Sequence, residues 1–237
     1  MTRLDQEKMI VGNGLLARTF TPHFAGDPSV IVFASGVSNS RETRADQFER
    51  ERKLLAAALA EQKTLVYFST CSVDDPELAQ SPYVQHKRAM EQMVFERARQ
   101  KHIFRLPQVV GACVNPHTLT NYLHRQIMSG DRFQVWLHAR RNLIDADDVA
   151  VIAAHIIKNH PADSSTNIAC PSSVSILELV RMFETALDRQ AHYDTVDAGA
   201  GYTIDTRLAE VAATACGIVF DDDYVNHLIR KYYVKSV

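Results

Sequence analysis

Apolar residues fall into two rhythms that alternate along the chain. An unbroken apolar run at 30–34 has the make-up of a strand buried on both faces, and 9–11, 64–69 and 102–106 read as further short strands. Between them, residues 15–24, 45–62 and 83–100 carry apolar side chains at near-helical spacing among charges, as with Phe48, Leu54, Leu55, Ala58 and Leu59. Strands alternating with helices predict an α/β fold, a doubly wound parallel sheet with helices on both faces. Ligands of such sheets sit at the carboxyl ends of the strands, which places Gly12, Ser35, Thr70 and Leu106 on one functional edge. Past Gly111 the alternation weakens, with helices expected near 119–129, 147–159, 175–186 and 223–232 and a strand near 133–137. No internal repeat or Gly/Ser linker interrupts the chain. The expected organisation is a nucleotide-binding core over 1–112 and 142–170, with a small α/β lobe for substrate over 113–141 and 171–237.

Composition narrows the function classes. With 237 residues, 46% of them hydrophobic, the chain can bury a large core. The net charge of −2, with both signs interspersed, argues against nucleic acid or a membrane surface as partner. The opening residues 1–8 are too polar for a secretory leader, and no apolar run reaches the roughly 18 residues of a membrane span, so a cytoplasmic protein is expected. Cys71, Cys113, Cys170 and Cys216 lie far apart, which predicts reduced thiols. The ten histidines show no metal-ligand spacing, and no metal site is expected.

Two local patterns carry chemistry. Gly12, Gly14 and Ala17 form G-x-G-x-x-A between the first strand and helix, where two glycines let the backbone approach a pyrophosphate and the small third residue lets helix pack on strand. Alone, that pattern is equally compatible with a plain strand-to-helix turn. Tyr83 and Lys87, four apart at the start of a helix, share one face. An ammonium beside a phenol favours the phenolate, lowering the tyrosine pKa toward proton exchange with a substrate hydroxyl near neutral pH. Thr70, at the end of the preceding strand, can hydrogen-bond the same oxygen. A lone Tyr-x-x-x-Lys is usually an ordinary helix face; a strand-end hydroxyl followed by Ser81-Pro82-Tyr83, all after a glycine turn, is a rarer coincidence.

With these residues in place, the chain resembles the extended short-chain dehydrogenase/reductases, the sugar-nucleotide epimerase and dehydratase family. Gly12-Asn13-Gly14-Leu15-Leu16-Ala17 resembles the family's glycine turn, Phe33-Ala34-Ser35-Gly36 its strand end beside the cofactor, and Phe68-Ser69-Thr70-Cys71-Ser72-Val73 its active-site strand. Ser81-Pro82-Tyr83 through Lys87 is similar to the catalytic helix, Arg105-Leu106-Pro107-Gln108 through Gly111 to the R-x-x-N-x-x-G segment, and Arg141-Asn142-Leu143 through Ala150 to the R-D-F-x-x-V-D-D-V-A segment. The resemblance implies a Rossmann-like fold, a NAD or NADP cofactor and a nucleotide-sugar substrate. It implies Tyr83 as general acid/base, Thr70 orienting the reacting oxygen, and Lys87 on the ribose. The cofactor would meet Gly12 to Ala17, Arg18, Ala34, Ser35, Gly36 and Leu106; the substrate would meet Cys71, Ser72, Gln108 and Arg141, the last near its phosphates. It also implies a homodimer through the helices near 45–62 and 83–100, the second offering an apolar stripe of Met90, Met93, Val94 and Ala98.

Three departures qualify the resemblance. The chain runs from its first helix directly to what resembles the family's fourth strand, so the element with the adenosine-binding acid is missing. Cys71 and Ser72 stand where family dehydratases carry an Asp-Glu pair, which disfavours dehydration. The segment before Ser81-Pro82-Tyr83 is short, which trims one pocket wall. Arg18, Arg41 and Arg44 are candidates for replacement contacts to the adenosine phosphate; Arg18 reads equally as surface charge, and Arg41 and Arg44 read more simply as surface charge; weak cofactor binding with a modest lean to NADP is expected. Cys71 as a nucleophile lacks a legible base. Two functions stay open: an NAD(P)-dependent reductase or epimerase of nucleotide-linked sugars, in surface polysaccharide or related sugar biosynthesis, and a relative that binds the nucleotide or sugar nucleotide without turnover.

Overall fold

The structure, a computed structural model, describes residues 9–113 and 115–234. The segment read above for a leader, residues 1–8, lies outside them. The first half of the chain takes the form β1 (Ile10–Val11), α1 (Leu15–Phe24), β2 (Val30–Phe33), α2 (Ala45–Ala60), β3 (Thr64–Thr70), α3 (Pro82–Arg97) and β4 (Gln100–Leu106). The second half adds β5 (Gln108–Val110), α4 (Leu119–Ser129), β6 (Phe133–Trp136), β7 (Arg140–Arg141), β8 (Leu143–Asp145), α5 (Ala146–Asn159) and β9 (Ser164–Asn167). It closes with β10 (Val174–Ser175), α6 (Ile176–Leu187), β11 (Tyr193–Val196), α7 (Arg207–Ala215) and α8 (Tyr224–Tyr233).

The central sheet is parallel in the order β1-β2-β3-β4-β9. Alternation of side chains along β2 explains its two-sided cover. Ile31 and Phe33 point with Leu65, Tyr67 and Ile103 into a core closed by Leu55 and Leu59 of α2 and Met90 and Val94 of α3. Val30 and Val32 point the other way, with Val66, Phe68 and Phe104, against Phe20 of α1 and Val149, Ile152 and Ile156 of α5. The fold is thus α/β and Rossmann-like. A further core gathers Leu123, Phe133, Val135, Leu179, Phe183 and Leu228, from both segments flanking the β7-β8-α5-β9 stretch.

Several boundaries and elements differ from the sequence reading. α2 stops at Ala60 because Gln62 turns into the left-handed region at φ 53. α3 stops at Arg97, and Gln100 and Lys101, read as helix and linker, open β4, whose ladder with β3 begins at Thr64 opposite Gln100. β9 escaped notice because its residues, Ser164 to Asn167, are polar; it is an outer strand held by its ladder to β4. The apolar stripe expected at a dimer interface is internal: Met90 is 3% exposed and Val94 0%, and Met93 and Ala98 pack against the same core. The expectation of an interface built on that stripe is corrected, since those methyl and thioether groups already cover the chain's own sheet. Among the described residues no helix is long and apolar enough to cross a membrane.

Candidate functional site

The carboxyl ends of β1 to β4 meet at the glycine turn. Gly12 holds φ +128, and a Cβ there would lie 2.5 Å from the Ala34 carbonyl oxygen and 3.1 Å from the Ser35 nitrogen, so only glycine brings the turn this close to β2. Gly14 caps α1 with no side-chain partner for the first-turn N–H groups, and no atom lies within 4 Å of where its Cβ would be. Leu15 packs so tightly on Gly111 that a Cβ on Gly111 would stand 2.7 Å from it, which fixes the helix start against the β5 end. This cradle fits a pyrophosphate: open space, uncapped backbone donors and the positive end of a helix. Ala17 is buried in the α1 core, and Leu16 packs beside it. Among the described residues the adenosine half of a dinucleotide has no matching strand, because β1 is the outermost described strand of the sheet.

Two arginines touch the cradle or the strand end beside it, and a third stands apart at the start of α2. Arg18 donates to the carbonyls of Asn13 (3.3 Å) and Ala112 (3.0 Å), tying the turn to the segment after β5. Arg44 pairs with Asp46 at 2.6 Å on the exposed start of α2, which leaves its reading as surface charge. Arg50, absent from the sequence reading, donates to the Ser35 carbonyl (3.2 Å) and hydroxyl (3.3 Å). No carboxylate pairs with Arg50 among the described residues, so an exposed cation sits over the strand end beside the glycine turn.

Tyr83 and Lys87 do share a face of α3, but their surroundings differ from the expectation. The Thr70 hydroxyl oxygen, at the end of β3, accepts from the Ser72 N–H at 3.2 Å, holding the turn that follows the strand. Lys87 is 3% exposed, and its Nζ donates to Glu51 Oε1 (2.9 Å), the Tyr67 hydroxyl (3.3 Å) and the Phe68 carbonyl (3.4 Å). Glu51 is 0% exposed and accepts as well from the Val37 N–H (2.6 Å) and the Tyr67 hydroxyl (2.7 Å), and meets His86 Nε2 at 3.0 Å. Burial opposes that carboxylate's charge; Lys87, His86 and the Val37 N–H outweigh it and hold Glu51 far below the usual carboxylate range. Burial first, and then the Glu51 charge, push Tyr83 well above the ordinary phenol value, against a smaller opposing effect of Thr70. The expectation of a Tyr83 pKa lowered by Lys87 is therefore corrected: the lysine faces a carboxylate, and its charge is balanced inside the fold.

On the substrate side, the turn Cys71–Asp74 is clamped by Arg105, which grips Glu91 of α3 through two bonds of 2.9 and 2.7 Å and reaches Asp74. The Cys71 Sγ donates to the Arg105 carbonyl at 3.3 Å, and burial pushes its thiol up to about 12, an inert group rather than a nucleophile. Leu106 is 5% exposed and belongs to the core beneath the strand ends. Gln108 is half-buried in β5. Arg141, half-buried, donates to the Arg140 carbonyl at 2.7 Å and has no carboxylate partner among the described residues. Beside it lies a cleft of about 350 Å³ lined by Arg140, Asn142, Ser173, Gly201, Tyr202 and Thr203. Asn142 fixes the cleft wall by donating to the Cys170 (2.6 Å) and Ser172 (3.0 Å) carbonyls. Tyr202 lines this cleft, and burial pushes its phenol well above the ordinary value.

The structure thus brings Gly12, Gly14, Ser35, Gly36, Thr70, Tyr83 and Lys87 to one strand edge, with Arg141 next in the chain to Arg140 of the Tyr202 cleft. Glu51, Arg50 and Tyr202 were missed. Glu51 had a signal: a carboxylate in phase with Leu55 and Leu59, on the face that must be buried. Among the described residues no group of three or more His, Cys, Asp or Glu could hold a metal ion.

Solved structures share this architecture at low identity. A dTDP-4-dehydrorhamnose reductase from Clostridium acetobutylicum superposes with a TM-score of 0.73 at 16% identity, over 94% of this chain and 96% of that one. RMD from Pseudomonas aeruginosa, complexed with NADPH, gives 0.68 at 16%, over 92% and 85%. The UDP-glucose 4-epimerase of Thermus thermophilus, in complex with NAD, gives 0.69 at 15%, over 95% and 84%. These likenesses establish the fold. No curated protein matches the chain. The model of the NAD dependent epimerase/dehydratase family matches residues 18–169, from within α1, after the glycine turn, to the segment after β9, and the chain belongs to that family.

Proposed function

We propose that this protein is an NAD(P)-dependent reductase or epimerase acting on a nucleotide-linked sugar, working in the cytoplasm in surface polysaccharide or related sugar biosynthesis. The observation that carries this reading is the convergence of Thr70, at the end of β3, and buried Tyr83 and Lys87 of α3 on the sheet edge that also holds the Gly12 to Gly14 cradle, with β2 between β1 and β3. NAD or NADP, when bound, supplies or accepts hydride at the sugar carbon. Thr70 orients the reacting oxygen and Tyr83 Oη exchanges a proton with it. Gly12 to Ala17 hold the pyrophosphate, with Arg18, Arg50 and the Ala34 to Gly36 backbone beside it. Lys87 keeps its place behind Tyr83; donating to a ribose would require release of its longest bond, the 3.4 Å contact to Phe68. Cys71, Ser72, Gln108 and Tyr202 border the sugar, and Arg141 meets the substrate phosphates. The core over 1–112 and 142–170 and the lobe over 113–141 and 171–237 divide these tasks between cofactor and substrate.

Dinucleotide binding is weak in this reading, with a modest lean to NADP, because among the described residues the charged side chains bonded to the cradle and the adjoining strand end are Arg18 and Arg50. A homodimer through α2 and α3 belongs to the same proposal, now resting on exposed Leu54 and Phe95 rather than on the buried stripe. A second reading, ligand binding without turnover, draws on the outer position of β1. Calorimetric titration with NAD, NADP and UDP-, GDP- and dTDP-linked sugars separates the two. Binding of both a dinucleotide and a sugar nucleotide supports the enzyme; a sugar nucleotide alone promotes the second reading.

A further inference from the structure

A buried carboxylate ties α2 to β3 and α3. Glu51 is 0% exposed and has both oxygens filled: Oε1 accepts from Lys87 Nζ (2.9 Å) and the Tyr67 hydroxyl (2.7 Å), and Oε2 accepts from the Val37 N–H (2.6 Å) and meets His86 Nε2 at 3.0 Å. A carboxylate offers about four acceptor positions, and here each one faces a partner, the arrangement of an ionised group. Lys87 is matched to it. An ammonium has three protons to donate, and Lys87 sends them to Glu51, Tyr67 and the Phe68 carbonyl, all inside the fold. Gly36 covers the pair. A Cβ on residue 36 would lie 2.7 Å from Lys87 Nζ and 3.0 Å from Glu51 Oε1, so bare backbone after β2 lies against both charges. Arg50, the preceding residue of α2, is exposed and bonds Ser35. Two consecutive residues thus sort the cations: Glu51 holds Lys87 within the fold, and Arg50 stays at the surface of the strand end.

We propose that Glu51 is a positioning residue that withdraws Lys87 from the dinucleotide site: the lysine serves as the carboxylate's counter-ion, and a bound dinucleotide receives from it neither a ribose contact nor a net charge. This rests on the dinucleotide-binding reading given above and departs from the ribose role that the family resemblance implies for Lys87. The charges of Glu51 and Lys87 sum to zero, so an anionic ligand at the neighbouring cradle meets only the field of a short dipole. A ribose hydroxyl is a neutral acceptor, weaker than the charged one that already holds Nζ at 2.9 Å. Turning Nζ toward it breaks one of three internal bonds and displaces the Gly36 backbone.

Calorimetric titration with NADPH of wild type, Glu51→Gln, Lys87→Met and the double variant tests this. The pair's net charge becomes positive in the first variant, negative in the second and zero again in the double. Affinity should therefore rise about threefold in Glu51→Gln, fall by a similar factor in Lys87→Met, and return to within about threefold of wild type in the double variant. Damage to the fold lowers affinity in every variant and raises it in none. A lysine seated on the ribose predicts a loss of about tenfold or more in the double variant. A double variant outside the threefold range, or a Glu51→Gln affinity no higher than wild type, overturns the inference. Where a single variant does not fold, wild type carries the test through 15N NMR of its lysine ammonium groups, assigned by through-bond correlation. The Lys87 signal should be protected from exchange at neutral pH and unmoved by saturating NADPH; a solvent-exchanged signal, or one that shifts on binding, overturns the inference. Urea unfolding needs no ligand and keeps the two readings apart. Lys87→Met strands a buried carboxylate and should unfold at a lower midpoint than the double variant, and a midpoint equal to or above the double's overturns the pairing. If NADPH binds to none of the proteins, the functional reading fails while the urea midpoints still decide whether Lys87 is the counter-ion of Glu51.

Discussion

Replacing Gly12 by alanine separates what the glycine turn does for the fold from what it does for a ligand. Residue 12 sits at φ +128, where an L side chain is strained, and the added Cβ would stand 2.5 Å from the Ala34 oxygen and 2.8 Å from the Ala34 carbonyl carbon. Those are backbone atoms at the end of β2, with no rotamer to change. Relief requires β1 to move. It has two residues, Ile10 opposite Val32 and Val11 opposite Phe33, tied by Ala34 N–H to the Val11 carbonyl at 2.8 Å and Val32 N–H to the Met9 carbonyl at 2.8 Å. Backbone strain costs about 1–3 kcal/mol, and each ladder bond lost costs about 0.5–1.5 kcal/mol. The expected destabilisation is about 2–4 kcal/mol, a large part of a typical domain's roughly 5–15 kcal/mol. Urea unfolding followed by far-UV circular dichroism should show the midpoint falling by about 1–2 M with the slope retained. Gly14→Ala is the comparison: its φ is ordinary and nothing lies within 4 Å, so its stability should stay within about 0.5 kcal/mol of wild type while dinucleotide affinity drops. A Gly12→Ala midpoint equal to wild type, or equal damage from both substitutions, would refute the reasoning.

Further outcomes follow from the same geometry. Arg50→Ala should weaken NADP binding about 10- to 100-fold, the loss of one charge-assisted contact, with Arg50→Lys recovering part of it in calorimetry; an unchanged affinity returns Arg50 to a strand-end brace. Arg141→Ala should weaken sugar-nucleotide binding by about 1.5–3 kcal/mol and leave dinucleotide binding intact, and equal losses for both ligands would contradict its placement. Because the Glu51 pKa is lowered by folding, its contribution is fully present above the ordinary carboxylate value of about 4.3 and is lost as pH falls below it. Urea midpoints measured from about pH 7 to 3 should therefore drop at the acid end in wild type, with a shallower drop in Glu51→Gln; parallel profiles would count against the buried pair.

Much of this architecture was legible in the order of residues, for identifiable reasons. β2 and β3 are apolar on both faces, so their runs stood out, and the glycine turn and Tyr83 stood in order at strand ends. β9 was hidden because its residues are serine, threonine and asparagine, and only its ladder to β4 makes it a strand. The dimer stripe misled because a helix period shows that Met90 and Val94 share a face but not what covers it; here the chain's own sheet does. Spacing alone put Lys87 beside Tyr83. It could not show that Glu51, some 36 positions earlier, lies closer to the lysine charge and reverses the electrostatic argument. Tyr202 was unreadable because it stands in an irregular segment far along the chain from Thr70 and Tyr83, with no periodicity to place it.

The central claim, a Tyr83-dependent redox reaction on a nucleotide-linked sugar, is tested most directly by following NADPH and NADH absorbance at 340 nm with a panel of UDP-, GDP- and dTDP-linked keto sugars, in wild type and Tyr83→Phe. The account predicts sugar-dependent cofactor oxidation by wild type and a loss of about 10²-fold or more in Tyr83→Phe, with calorimetric affinities for both ligands nearly unchanged. Equal rates in the two proteins would contradict it.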